Sequence, residues 1–313
     1  MSNSRPTRSS SSRDCPTVDG IRQIQRIAVR GAEVGGVPIA RALPTRERRT
    51  VGAWCFLDHA GPTVFNGDDP GMDVGPHPHT GLQTFTWMIE GEVLHRDSLG
   101  SEQVIRPGQV NLMTAGHGIA HTEQSTGTQR RLHAAQLWIA LPAEHADMAP
   151  RFDHYPDLPQ WLDDKVNHRL LIGEFGKYRS PVLKFSPLIA MDLEWQDDGY
   201  LQLPVREDYE IGLLPLVGAF ELNDEKFSPE DFAYLGMNYN SIGLKAVKGS
   251  RALLIGGAPL NEEILIWWNF VGHTRQEIIQ AQRDWEQGNS RFPDVNGDVG
   301  ARMAAPHLPW SDV

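Results

Sequence analysis

Cysteine is almost absent: Cys15 and Cys55 are the only two in 313 residues. One sits in a polar N-terminal stretch and the other in a strand-like segment, so no disulfide framework is expected. Long apolar runs are also missing. Nothing approaches the ~20 residues that span a bilayer, and the N-terminus lacks the hydrophobic stretch of a signal peptide, so a soluble, cytoplasmic protein without a membrane partner is expected. Positive charge is scarce, with 29 Lys and Arg against 40 Asp and Glu and a formal net charge of −11. Nucleic acid rewards a basic stripe, and none is present, so no direct nucleic-acid partner is expected. The short runs at Arg46, Arg48 and Arg49 and at Arg130 and Arg131 read as solvated surface. Histidine is missing between His168 and His273 although the chain carries 12.

What is present is concentrated in two triplets, His77-Pro78-His79 and His121-Thr122-Glu123. In an extended strand, side chains two apart share a face, so each triplet can aim both of its donors at one point. Two such strands facing each other in a barrel would supply three imidazoles and one carboxylate to one ion. Without a thiolate, these donors suit a divalent first-row metal such as Fe, Mn, Ni, Cu or Zn. Between the triplets, Phe85, Trp87 and Ile89 alternate with Thr84, Thr86 and Met88, as in a strand with two differently used faces. The glycines of Thr114 to Ala120 predict a tight turn that returns the chain into the second triplet.

Residues 1–20 are rich in Ser, Arg and Pro and predict a disordered tail. From 21 to 141, short β-rich segments separated by Gly, Pro, Asn and Asp predict an antiparallel barrel or sandwich; examples are Val51 to Leu57, Leu82 to Ile89, Gln109 to Met113 and Leu132 to Leu141. Leu137, Ile139 and Leu141 share a face and are assigned to the core. Residues 142–167, broken by four prolines, predict a connection in which Pro142 to His145 and Arg151 to Tyr155 could form a helical turn; His145 and His154 there have no ligand spacing. A second β-rich block, 168–292, repeats the texture of the first. With no histidine between His168 and His273, it cannot build a second three-histidine site and is read as structural. Thr274-Arg-Gln-Glu277 has the order of a capping box, with Ile278, Ala281, Gln282 and Trp285 at helical spacing and Gly288 as the stop. Residues 293–313 predict an extended tail docked through Leu308 and Trp310.

The ordered motifs Gly75-Pro-His-Pro-His-Thr-Gly-Leu-Gln-Thr-Phe-Thr, Glu90-Gly-Glu-Val-Leu-His-Arg-Asp-Ser-Leu-Gly, Ile105-Arg-Pro-Gly-Gln-Val and Met113-Thr-Ala-Gly-His-Gly-Ile-Ala-His-Thr-Glu closely resemble the pirin family of the cupin superfamily. Arg41-Ala-Leu-Pro, Phe56-Leu-Asp-His-Ala-Gly-Pro62 and Leu253-Leu-Ile-Gly-Gly-Ala-Pro-Leu260 extend the resemblance from about Arg22 to about Phe292. It implies an all-β bicupin of two cupin-type barrels with a C-terminal helix. The metal would lie in the N-terminal barrel, on His77, His79, His121 and Glu123. Thr80 and Gln83 stand where the family commonly has a basic and an acidic residue, and His117 where Arg is frequent. All three flank the ligands, which marks them as candidates for substrate contact or for tuning the metal.

Three imidazoles and a carboxylate leave positions open on a five- or six-coordinate ion, as catalysis requires. Fe(II) is the foremost candidate, and the resemblance implies a dioxygenase that cleaves quercetin or a related flavonol with O2, Glu123 accepting the proton of the 3-hydroxyl. As the alternative, the family resemblance allows an iron-dependent regulator that docks on a protein partner, a transcription factor or a metabolic enzyme. Trp54, Phe56, Trp87 and Met113 are candidates for an apolar pocket. His59 is assigned to packing or hydrogen bonding near the barrel mouth, His95 to a surface or cross-strand position, and His117 either to a pocket-facing donor or to an exposed turn.

Overall fold

The architecture follows from a computed structural model, which describes residues 15–19, 21–127, 130–297 and 300–310. Most of the expected N-terminal tail lies outside these residues. Among the described residues of that stretch, Thr17–Val18 pairs with Ile21–Arg22, and Cys15 is buried, with its Sγ 3.8 Å from the Leu235 carbonyl.

Among the described residues, two antiparallel β-barrels precede one α-helix, Arg275–Gln287. Each barrel sets a four-stranded sheet against a seven-stranded one. In the first barrel the smaller sheet runs in the order Glu102–Ile105, Val93–Asp97, Ile119–Ser125, Asp73–His79. The larger sheet is centred on Leu82–Glu90, Arg131–Ala140 and Trp54–Val64. The period-two alternation of these three strands divides their work. Phe85, Trp87, Leu137, Ile139 and Leu57 point out of the first barrel into an apolar core shared with Leu214, Leu216, Phe232, Leu253 and Ile255 of the second. Thr86, Met88, Gln136, Trp138, Phe56 and Asp58 point inward and line a cavity. The large sheets thus pack on each other and bury the apolar face of each, which leaves the first barrel's interior free for other use.

The chain does not keep its segments within one barrel. Gln25–Ala28 pairs with Asp231–Gly236 at the edge of the second barrel's large sheet. Within the connection, Ala143–His145 forms the expected helical turn, as a 3-10 helix. Arg151–Tyr155 is instead a strand beside Val110–Thr114, and the alternation of Arg151, Asp153 and Tyr155 with Phe152 and His154 suits the pleat. The basic run also departs from its surface assignment. Arg48 is 0% exposed, with its guanidinium 3.5 Å above the Tyr234 ring and hydrogen-bonded to Gln25. An aromatic face and an amide oxygen make that burial tolerable.

The helix is capped as its sequence requires: the Thr274 side chain accepts from the Glu277 amide at 3.2 Å, and Gly288 ends it at φ 62°. Its buried face, including Ile278, Ala281 and Trp285, packs with Trp267, Phe270 and Phe292 against Ala120 of the first barrel. Leu308 and Trp310 join this cluster, and Trp285 Nε1 and Gln282 Nε2 donate to the Met303 and Pro306 carbonyls. The tail is therefore anchored beside the first barrel, where Met303 N donates to the Pro76 carbonyl at 2.8 Å.

Candidate metal centre

His77 and His79 lie on one face of Asp73–His79, and His121 lies directly across the ladder from His77. Their ligand atoms fall within 4.8 Å of one another. Glu123 lines the same cavity, two residues on from His121 and past a register shift in the ladder. The structure thus brings three of the four expected donors into one tight cluster and places the carboxylate in the wall beside it.

The hydrogen bonds show which ring atoms are available. His77 Nδ1 lies 2.9 Å from the Gly75 carbonyl and His79 Nδ1 lies 3.0 Å from the Asn269 carbonyl. A carbonyl only accepts, so each Nδ1 carries the proton and each Nε2 keeps a lone pair. His121 Nε2 is buried without a partner, an arrangement that normally costs free energy. Burial lowers His77 to about 4 and carries His79 and His121 well below the ordinary histidine value, with their neighbours' charge adding to the effect. Three neutral imidazoles and an orphaned ring nitrogen fit a divalent metal ion.

Burial raises the Glu123 carboxyl, against the opposing influence of His95 and Thr86. The Thr86 hydroxyl donates to Gln136 Oε1 at 2.7 Å. The cavity above the cluster measures about 830 Å³, within the range of small-molecule sites. One wall is aromatic: Phe56 stacks on Trp138 at 4.0 Å and 13°, and Trp138 meets His79 edge-on at 5.2 Å. Arg41 lies 4.5 Å above Phe56 and is held by two hydrogen bonds of 2.7 Å to Asp58. Burial raises Asp58, and Arg41 works against that rise. Arg49, assigned to the surface from sequence, lines this cavity, as do Trp267 to Asn269 and Met303.

Of the three aromatics and one methionine proposed for the pocket, only Phe56 lines the cavity. Trp54 and Trp87 belong to the core between the barrels, where Trp54 Nε1 donates to the Gly256 carbonyl, and Met113 packs in a separate cluster around Leu82. Thr80 and Gln83 are buried away from the cavity, Gln83 donating to Thr114 Oγ1 at 2.9 Å. His117 is exposed, its Nδ1 2.7 Å from Asp147. His59 is buried outside the cavity wall, bonded to His133. His95 is cross-strand to Glu123, buried rather than on the surface, and stacked on Phe152 at 4.2 Å. Trp138 escaped the sequence reading, although the alternation that sent Leu137 and Ile139 to the core sends it to the opposite face. Asn269 and the tail carry no local signal of their place in the wall.

The pirin family pattern matches residues 36–139, and that of the pirin C-terminal cupin domain matches residues 190–293. A Pseudomonas aeruginosa protein named "Putative quercetin 2,3-dioxygenase" is 54% identical over 302 residues, covering 96% of this chain and 95% of its own length. A pirin-like protein of Caulobacter vibrioides is 36% identical over 274 residues, covering 85% and 94%. The crystal structure of a quercetin 2,3-dioxygenase from Acinetobacter baumannii matches with a TM-score of 0.90 at 48% identity, covering 93% of this chain and 97% of that one.

Proposed function

This chain belongs to the pirin family, and on that premise we propose that it is a metal-dependent dioxygenase that opens the heterocycle of quercetin or a related flavonol with O2. The observation that carries this reading is the three-imidazole cluster at the wall of a large, partly aromatic cavity. His77, His79 and His121 hold the ion, with Glu123 as the fourth donor, and Fe(II) suits the chemistry best. When bound, the ion supplies Lewis acidity and one-electron reactivity toward O2.

The chain's own residues do the rest. Phe56 and Trp138 offer an apolar boundary to a flat polyphenol, and Met88 and Leu132 face the same space. Restricting the ring's orientation there lowers the entropic part of the barrier. Glu123 receives the proton of the substrate's 3-hydroxyl; burial makes its carboxylate more basic than an exposed one, which brings it closer to a working general base. Both oxygen atoms of O2 enter the organic product as the ring opens, and one carbon leaves as carbon monoxide.

Anaerobic loading with Fe(II), followed by quercetin and air, tests the assignment. Oxygen uptake and carbon monoxide release in equal amounts are expected, and both are lost in His77→Ala and His121→Ala. Stoichiometric iron with no turnover of any flavonol overturns it.

A further inference from the structure

His77 and His79 are oriented by main-chain carbonyls, but His121 is oriented by side chains. Its Nδ1 lies 3.3 Å from His95 Nδ1, and His95 Nε2 lies 3.1 Å from Asp97 Oδ2. Asp97 Oδ1 accepts from the amides of Leu99 at 2.9 Å and Ser101 at 3.0 Å. The three side chains are 1%, 3% and 1% exposed in the order His121, His95, Asp97. The stack on Phe152, at an interplanar angle of 12°, holds the His95 ring in place.

We propose that Asp97 and His95 are positioning residues that fix the tautomer of His121 and so turn its Nε2 lone pair toward the metal. This rests on the metal reading given above. A carboxylate only accepts, so Asp97 Oδ2 requires the proton of His95 to be on Nε2. His95 Nδ1 is then bare and accepts from His121 Nδ1, which leaves His121 Nε2 unprotonated. That is the atom found buried without a partner. A second proton on His95 would set N–H against N–H across the 3.3 Å gap, so the chain works with one proton per ring. The carbonyls of Gly75 and Asn269 can only accept, whereas an imidazole can present either a donor or an acceptor. His95 therefore needs a third group to set its direction, and Asp97 is that group. The strand register supplies the arrangement: His121 is opposite Asp97 and Glu123 is opposite His95. One pair of neighbouring antiparallel strands thus carries both the ligand and the pair that orients it.

Asp97→Asn reverses the chain without changing its shape. The amide oxygen stays with the Leu99 and Ser101 amides, and the NH2 group faces His95 Nε2. His95 Nδ1 then carries the proton and faces His121 Nδ1, which drives the His121 proton to Nε2. The first measurement is the His121 tautomer in 15N-labelled metal-free protein at about pH 8, where a neutral imidazole dominates. Nε2 is expected bare in the wild type and protonated in Asp97→Asn. The second is Zn(II) affinity by chelator competition, expected to fall about 10- to 100-fold in Asp97→Asn. His95→Gln, whose oxygen can accept from His121 while its NH2 donates to Asp97, should restore affinity relative to His95→Leu.

An unchanged tautomer in Asp97→Asn, or equal Zn(II) affinity in His95→Gln and His95→Leu, overturns the proposal. A folded wild type that binds no Zn(II) sinks the metal reading and this proposal with it. Failure of flavonol turnover alone touches neither measurement. Should Asp97→Asn not fold, the two His95 variants still decide.

Discussion

His59 and His133, both buried, meet ring to ring, Nε2 to Nε2 at 2.8 Å. One nitrogen must donate and the other accept, so the contact excludes a proton on both Nε2 atoms and at least one ring is neutral. Burial lowers His59 to about 4; it also lowers His133, to about 3, with the charges of His59, Arg251 and Arg131 adding to the effect.

The sign of the pH dependence follows. An unfolded histidine titrates near 6.5, so between that value and the folded one the unfolded chain takes up protons that the fold excludes. Stability is full above about 6.5 and falls as the pH drops toward 4. Urea unfolding of the metal-free protein should show a clear loss between about pH 7 and 4.5, and His133→Asn should remove about 2 kcal/mol of that loss. An equal pH dependence in the variant would show that the pair does not carry it.

Gly81 follows the first triplet at φ 67°, and a Cβ there would stand 2.2 Å from the Val271 carbonyl oxygen. That carbonyl belongs to the hairpin whose Asn269 orients His79. Gly81→Ala should cost about 2 kcal/mol or more and weaken metal binding as the hairpin shifts. Gly36→Ala, at φ 80° with nothing within 4 Å, should cost only the backbone term. Thermal unfolding and metal titration of the two variants measure the difference.

Trp138→Ala removes a large part of the aromatic wall. The expected cost is about 3 to 5 kcal/mol, reduced where the cavity already leaves one face of the ring free. Turnover of a flavonol should show a raised KM, because the wall contacts the ring system rather than the reacting bond. A fall in kcat alone, with KM unchanged, would place Trp138 outside the substrate's path.

Glu123→Gln separates base from ligand. As the proton acceptor, Glu123 should be needed for turnover, and the variant should lose about 10²-fold or more in kcat. The three imidazoles retain the ion, more weakly. Full turnover with full metal content would remove Glu123 from the proton step. Chelation of the loaded wild type should lower Tm in proportion to the logarithm of metal concentration over Kd, and His79→Ala should abolish that shift.

The shared faces were readable in the chain because strand geometry is local: a period of two puts His77 with His79 and His121 with Glu123 whatever surrounds them. The two-barrel order and the capped helix were readable for the same reason, through alternation and the Thr274-to-Gly288 signals. The tertiary structure alone decided the environment of those side chains. Asn269 reaches His79 across 190 residues, Met303 meets Pro76 at 2.8 Å, and Arg48, one residue of an ordinary basic run, lies buried on Tyr234. His95 gave a local pattern no different from that of a surface histidine, yet it stands behind His121. A side chain's neighbours from distant strands depend on how two sheets close and pack, and that closure leaves no periodicity for a sequence to display.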